Sequence, residues 1–342
     1  MTVSCAAATP SASAWQFWID RGGTFTDVIG RGPDGRLVTR KLLSEAPGRY
    51  QDAATAGIRE ILGLARDAPI PTGLVESVKM GTTVGTNALL TRRGEPVVLV
   101  VTAGFADQLA IGDQARPDLF ALHIVKPRPL YSRVIEAVER LDASGKVLVA
   151  LDTDALRERL AEARSAGFRA CAIAFLHSWR NPAHERAAGE IARALGYSQV
   201  SLSHQASPLI KFIPRAETAV LDAHLTPPLS RYIAAVVQAL PADTRLEFMQ
   251  SNGGLVAADQ FQGKDSVLSG PAGGLVGMVK VGRAAGFERL IGFDMGGTST
   301  DVALHAGELE RRSESMIAGY RIRVPMLAVH TVAAGGGSIL RF

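Results

Sequence analysis

The sequence predicts an α/β protein built as duplicated lobes, the second of them short. Three observations carry that reading. Short apolar strands alternate with helical patterns along most of the chain, the signature of an α/β fold. A nine-residue stretch, Asp20-Arg-Gly-Gly-Thr-Phe-Thr-Asp-Val28, returns as Asp294-Met-Gly-Gly-Thr-Ser-Thr-Asp-Val302, with seven of the nine positions identical. The two copies lie 274 residues apart, so they mark two equivalent lobes rather than a short tandem array.

Each copy sits between short apolar runs. These are Phe17-Trp-Ile19 and Val28-Ile29 for the first, Leu290 to Phe293 and Val302 to Leu304 for the second. Both read as strand, tight glycine turn, strand. Such a turn suits a phosphate. Gly22 and Gly23, like Gly296 and Gly297, admit positive φ and let an anion approach the backbone N–H groups. Thr24 and Thr298 add hydroxyl donors. Asp20 and Asp294 close their strands and are placed to hold Mg²⁺ through water, because that ion keeps several waters and uses few carboxylates. One such turn is ordinary hairpin chemistry. The pair points to a single nucleotide clamped from two sides.

The remaining elements follow in order. Leu37–Leu43 reads as a third strand, and Asp52–Ala65 as a helix with Ile58, Ile61 and Leu62 on its apolar face. Val78–Thr83 is a strand running into a turn, Val84–Arg92 a helix, and Pro96–Thr102 a buried strand. From about 104 to 149 the pattern loosens, which predicts an insertion in the first lobe. Helix 153–166, strand 170–176, helix 182–195 and strand 199–202 restore the alternation. A helix from about Arg215 to Leu225 is expected to end before Pro227 and Pro228, which open the next helix, to about Leu240. Strand Leu246–Met249 leads into the polar turn Gln250–Gly254, and a small-residue helix runs from Ser269 to about Ala285.

These elements divide the chain into a disordered tail (1–14), a first lobe (15–205) and an incomplete second lobe (206–342). Asp294 is followed by only 48 residues, so the chain is expected to be a fragment or one part of a larger assembly.

Composition narrows the function classes. A hydrophobic content of 47% and charged content of 20% describe a globular chain with ample core. The net charge of +4 comes without a dense Lys/Arg run, so nucleic acid is not expected as a partner. Two cysteines, Cys5 and Cys171, make a disulfide framework unlikely and predict a reducing, cytoplasmic setting. No run of 18 apolar residues occurs, so no membrane span is expected.

Three further glycine- or threonine-rich stretches are candidates for ligand contact. Met80-Gly-Thr-Thr-Val-Gly-Thr-Asn87 leads from a strand into a helix start, where N–H groups attract anions. Thr82, Thr83 and Asn87 there are substrate candidates, with plain N-capping by threonine equally open. Ser269-Gly-Pro-Ala-Gly-Gly274 would lie against a nucleotide, or serve as a hinge, or allow close helix packing. Gly335, Gly336 and Gly337 would approach a nucleoside backbone-first, or form a plain turn. There is no Walker A loop, no dinucleotide fingerprint, no zinc spacing among the histidines and no nucleophile elbow.

Taken together, these motifs resemble the hydantoinase/oxoprolinase family, hydantoinase A-like. The match runs in order through Ile19–Val28, Met80–Leu89, Gln114–Leu119, Ser269–Gly274, Gly292–Asp301 and Thr331–Ser338. Within the family the Asp20-Arg-Gly-Gly opening and Lys41-Leu-Leu-Ser-Glu45 are most similar to the N-terminal part of the ATP-dependent 5-oxoprolinase branch. The resemblance implies an actin/Hsp70/sugar-kinase-like (ribonuclease H-like) fold with ATP between two lobes. It implies ATP and Mg²⁺ as cofactors, with K⁺ a further candidate. It also implies ATP-dependent hydrolysis of a cyclic amide, 5-oxo-L-proline to L-glutamate, through phosphorylation of the lactam oxygen. N-methylhydantoinase and the acetone carboxylase ATP-binding subunit are the alternatives within the family. A non-catalytic nucleotide-binding or assembly module is the alternative outside it. The implied partners are a hydantoinase B-like subunit or a missing C-terminal region, in an oligomer.

Overall fold

The structure, a computed structural model, describes residues 14–113, 120–296, 300–332 and 334–339. They form two compact units. The first comprises the chain up to Thr82 with Tyr232–Met249 and Leu255–Gln260; the second comprises Thr83–Arg231, Gln250–Gly254 and the chain from Phe261.

The chain begins with an antiparallel meander: β1 (Trp15–Arg21), β2 (Phe25–Arg31) and β3 (Leu37–Leu43). Alternation along these strands buries Phe17, Ile19, Val28 and Leu42 on one face. Helix α1 (Ala53–Leu62) starts where the Asp52 carboxylate accepts the Thr55 N–H and ends at Gly63 in the left-handed region. It covers that apolar face: a Cβ on Gly57 would meet Val28 at 2.6 Å and Leu42 at 3.1 Å. Strand β4 (Val75–Thr82) then pairs in parallel with β1.

The second unit opens with α2 (Val84–Thr91) and β5 (Val97–Thr102), whose six residues are all buried. A continuous apolar run of this kind is what a central strand, covered on both faces, requires. After the short α3 (Gln108–Ile111) comes β6 (Tyr131–Ala137), parallel to β5, then the small hairpin β7 (Arg140–Leu141) and β8 (Val147–Val149). The loosely patterned stretch is thus only partly irregular, because β6 belongs to the sheet. Helix α4 (Thr153–Ser165), β9 (Ala170–Ala174), α5 (Ala183–Ala194), β10 (Gln199–Leu202) and the one-turn α6 (Ser203–Ala206) follow. The result is a parallel sheet ordered β10-β9-β5-β6.

Helix α7 (Phe212–Ala239) corrects the expectation of two helices, since it runs unbroken through Pro227 and Pro228. A proline inside a helix frees the carbonyl four residues back. For Pro228 that carbonyl is His224, and it accepts the Glu95 N–H at 2.9 Å instead. An outside donor therefore removes part of the cost of the break.

Strands β11 (Arg245–Met249) and β12 (Leu255–Ala257) complete the first unit's sheet, ordered β12-β11-β4-β1-β2-β3. In the second unit come α8 (Ser269–Ala284), β13 (Arg289–Met295) and β14 (Thr300–Ala306). The short β15 (Arg311–Arg312), β16 (Ser315–Ile317), β17 (Tyr320–Ile322) and β18 (Met326–Leu327) precede β19 (Val329–Val332). The last strand pairs with β14, giving a sheet ordered β13-β14-β19. Among the described residues no helix is long and apolar enough to cross a membrane.

Candidate functional site

The repeated sequence forms the same local structure twice. In the first unit Asp20 stands opposite Asp27, and Ile19 opposite Val28. In the second, Asp294 stands opposite Asp301, and Phe293 opposite Val302. Each hairpin carries a third antiparallel strand in the same register, Lys41 facing Asp27 and Thr331 facing Asp301. Residues paired across strands share a face, so each turn begins from a pair of carboxylates.

The first turn is tied internally. Gly22 N–H donates to the Phe25 carbonyl at 3.0 Å, and Ser44 N–H donates to the Thr24 carbonyl at 2.8 Å. The Ser44 hydroxyl donates to the Gly22 carbonyl at 2.7 Å and lies 3.0 Å from the Thr26 hydroxyl. Gly22 is not in the left-handed region expected of it; a Cβ there would meet the Phe25 carbonyl oxygen at 2.9 Å, so close approach requires the glycine. Lys41 engages both oxygens of Asp27, at 2.9 and 2.8 Å. Asp20 faces Gly81 of β4, and the next position pairs Arg21 with Thr82. The first unit thus brings Asp20, Gly22, Gly23, Thr24 and Thr82 to one end of its sheet.

The second turn is held by a different device. The Gly336 N–H donates to the Gly296 carbonyl at 3.0 Å, and the Thr300 hydroxyl donates to the Ala334 carbonyl at 2.6 Å. Gly335 N–H donates to the Ser338 hydroxyl at 3.0 Å. The structure therefore joins Gly296 to the Gly335–Gly337 turn, which the sequence left as separate motifs. Gly297 and Thr298 lie outside the described residues, as do residues 114–119.

Asp301 accepts the Thr331 hydroxyl at 2.6 Å. Burial raises its carboxyl above the ordinary carboxylate value; the Thr331 bond opposes that rise and the Asp294 charge adds to it. Helix α8 packs over the face that carries these carboxylates. A Cβ on Gly282 would meet Leu290 at 2.4 Å, and one on Gly292 would meet the Met278 sulfur at 2.5 Å. The helix thus recedes four residues while the strand advances two. The same step brings Gly274 level with Asp294, since four helical residues and two strand residues each cover about 6 Å. A Cβ on Gly274 or Gly277 would meet nothing within 4 Å. Close packing does not explain these two glycines, which are exposed and border open space.

Two carboxylates, backbone N–H groups and an open glycine-lined space fit a hydrated Mg²⁺ with phosphate, which needs only one or two protein carboxylates. No group of three or more His, Cys, Asp or Glu side chains suited to a metal occurs among the described residues.

The other candidates separate. Thr83 occupies the N-cap position of α2, yet its side chain makes no capping bond. Its hydroxyl lies 3.4 Å from the Asn87 amide nitrogen, which donates to it. Thr86 is structural: its hydroxyl accepts the Leu268 N–H at 3.0 Å, just ahead of α8.

Two charged groupings escaped sequence reasoning because their members are scattered along the chain. Glu185 and Arg215 are buried together, 3.4 Å apart. Glu185 also accepts the Phe175 N–H at 2.9 Å and lies 2.6 Å from His204 Nδ1, while Arg215 donates to the Ser178 and Ser203 hydroxyls. The second grouping is Asp113, Glu217, Glu314, Arg321 and Arg323, and all of these but Glu217 line a cavity of about 420 Å³ past the ends of β5 and β9. Arg321 lies 2.6 Å from Asp113 but 3.6 Å from Glu217, too far for a hydrogen bond. Burial pushes Glu217 up to about 7, against the pull of Arg321 and helped by Asp113 and Glu314.

With this geometry in place, family comparison is decisive. The hydantoinase/oxoprolinase N-terminal region matches residues 16–196, and the hydantoinase/oxoprolinase region matches residues 215–342. The chain belongs to the hydantoinase/oxoprolinase family. It is 43% identical to the 5-oxoprolinase of Saccharomyces cerevisiae and 42% identical to 5-oxoprolinase 1 of Arabidopsis thaliana, over 94% and 96% of its length. It spans only 28% of the length of either relative. Among solved structures, the ATP-dependent caprolactamase from Pseudomonas jessenii superimposes with a TM-score of 0.79 at 30% identity. That alignment covers 96% of this chain and 49% of the caprolactamase chain. A nucleotide-free acetone carboxylase shares the fold, with the same TM-score at 24% identity and coverage of 94% and 48%.

Proposed function

We propose that this chain is the nucleotide-handling portion of an ATP-dependent cyclic amide hydrolase, with 5-oxo-L-proline as substrate. The observation that carries the reading is the second hairpin: the Asp294 and Asp301 pair, the Gly296–Gly336 clasp and the open space bordered by Gly274 and Gly277. The 5-oxoprolinase relatives support the substrate, and the ATP-dependent caprolactamase supports a cyclic amide cleaved at the expense of ATP.

A lactam carbonyl is a poor electrophile. Transfer of the γ-phosphoryl group to its oxygen releases ADP and turns that oxygen into a leaving group. Water then adds at the carbon, the ring C–N bond opens with its nitrogen taking the proton to leave an acyl phosphate, and a second water cleaves that acyl phosphate to the carboxylate and free phosphate. Such a transfer needs mainly charge neutralisation and in-line placement. In this proposal the turns Gly22, Gly23, Thr24 and Gly296, Gly297, Thr298 are each phosphate-binding turns, and Gly335–Gly337 border the nucleoside. Asp20 and Asp294 orient hydrated Mg²⁺, which supplies charge neutralisation when bound. Thr82, Thr83 and Asn87 face substrate.

The matched hairpin registers support an actin/Hsp70/sugar-kinase-like pair of lobes. The short span relative to the relatives supports a requirement for a further region or a hydantoinase B-like subunit. Calorimetric titration with ATP and Mg²⁺ tests the first stage, and 5-oxoproline-dependent ADP release by the completed assembly tests the second. Binding without release in that assembly replaces the enzyme reading with that of a non-catalytic nucleotide-binding module.

A further inference from the structure

The strands of the second unit's parallel sheet follow the chain as β5, β6, β9 and β10 but lie in the order β6-β5-β9-β10. The connection leaving β5 therefore runs to one side, and the connection entering β9 returns on the other. In open parallel sheets the loops part at such a point and leave a crevice beyond the carboxyl ends of the two strands, where ligands bind. The cavity of about 420 Å³ lies there: Phe105 follows β5, Leu176 follows β9, and both line it. The Thr102 hydroxyl accepts the Leu176 N–H at 3.0 Å and ties the two strand ends together. Among the described residues, none from either glycine turn lines this crevice.

Its lining selects a small anion. Phe105 and Phe212, with ring centres 6.1 Å apart, form an apolar wall. The carboxylates are engaged: Asp113 lies 2.6 Å from Arg321, and Glu314 accepts the Arg323 Nε–H at 3.0 Å. Cationic capacity remains. Arg321 Nε is buried without a hydrogen-bond partner among the described residues. The Lys211 ammonium, on the rim, makes no hydrogen bond or ion pair among them. Lys211 also holds a φ of +79°, in the left-handed region, immediately ahead of α7. Such strain in a residue with a Cβ is typical of ligand sites. We propose that this crevice is a second ligand site, for a small carboxylate with a compact, largely apolar body. The carboxylate sits on Lys211, and the body lies against Phe105 and Phe212. A single free ammonium matches a single negative charge, and an apolar pocket with a few polar groups is the usual form of a small-molecule site. The site uses neither glycine turn and needs no nucleotide, so it stands if the nucleotide reading fails.

The test titrates the chain, without nucleotide, with cyclopentanecarboxylate, with 5-oxo-L-proline and with the neutral 5-oxo-L-prolinamide, followed by calorimetry. Both acids are expected to bind saturably, with a Kd below about 10 mM, and the amide about tenfold more weakly. Lys211→Gln removes the free charge, and Gln108→Trp fills the crevice from α3. Each is expected to weaken binding of the acids by about fivefold or more. Lys211 is exposed, so Lys211→Gln decides the matter if Gln108→Trp does not fold. Asn87→Ala, in α2, is expected to leave the acids bound as before. Titration of ATP with Mg²⁺ against Lys211→Gln should match the unaltered chain, which keeps this reading separate from the nucleotide one. No saturable binding of either acid, or equal binding of acid and amide, overturns the proposal. So does affinity indifferent to Lys211→Gln, or lost in Asn87→Ala alone, which places the acid at the start of α2.

Discussion

Asp294 lies directly across the β13–β14 ladder from Asp301, and the Thr331 hydroxyl binds only the second of them. Asp27 holds the place of Asp301 in the first hairpin and is neutralised by Lys41. Among the described residues the second hairpin therefore shows no cation on its carboxylates comparable to Lys41 on Asp27. Asp294→Ala is expected to weaken ATP binding by about tenfold or more in the presence of Mg²⁺, a loss of about 1.4 kcal/mol. The same substitution should change binding little when Mg²⁺ is withheld. Calorimetry with and without the ion checks both expectations, and an equal loss in both conditions removes the ion-holding role.

Gly274 separates folding from binding. It sits inside α8 with room for a side chain, so Gly274→Ala is expected to raise stability by about 0.5–1 kcal/mol through helix propensity. If the space beside it takes phosphate, the same change lowers ATP affinity by about fivefold. Denaturant titration and calorimetry on one variant measure the two effects. A stabilised chain with unchanged affinity places the nucleotide elsewhere.

Arg215 is fully buried against Glu185. Burial alone would raise the Glu185 carboxyl. The His204 hydrogen bond, the Arg215 charge and the Ser203 and Ser178 hydroxyls instead hold it below the ordinary carboxylate range. Arg215→Ala strands that charge and is expected to cost roughly 3–5 kcal/mol. The double change Arg215→Met with Glu185→Gln should cost less than the sum of its parts, because neither partner is left charged and alone. Urea denaturation of the four proteins in that cycle gives the coupling. A depressed carboxyl stabilises the fold above its unfolded pKa, so this contribution fades as the solution is acidified through the folded value.

Glu217 acts in the opposite sense. Its carboxyl is pushed up to about 7 in the folded chain, above the ordinary carboxylate range, so the folded state holds the proton more tightly. The associated stability is complete below about 4.3 and is lost as pH rises through about 7. Glu217→Gln is expected to flatten that fall and to raise stability at pH 8 by about 2 kcal/mol, discounted for partial solvent exposure. Thermal unfolding of both proteins from pH 5 to pH 8 measures it, and parallel curves contradict the assignment.

Much of the architecture was legible because local signals agreed with the fold. The Asp52 cap, Gly63 beyond α1 and the all-apolar β5 each mark an element by chemistry within a few residues. Pro227 and Pro228 misled because the rescue of the helix comes from Glu95, more than a hundred residues away. Strand β6 was hidden because its apolar pattern is weak and its place beside β5 is set by pairing, which composition does not record. The site followed the same division. The repeat announced both turns, whereas the Gly296–Gly336 clasp and the buried Glu185–Arg215 pair join residues that are distant in the chain.

By itself the sequence determined the α/β class, the two glycine turns, the carboxylates that introduce them and the family. Those features rest on short-range spacing, which is written directly in residue order. Only the tertiary structure decided that Gly274 faces open space, that α7 is continuous and that the hairpin face buried as Phe17 and Ile19 in one unit is exposed as Ile291 and Phe293 in the other. Each of these depends on which distant groups pack, donate or stay away, and burial is a property of the folded chain rather than of any local stretch.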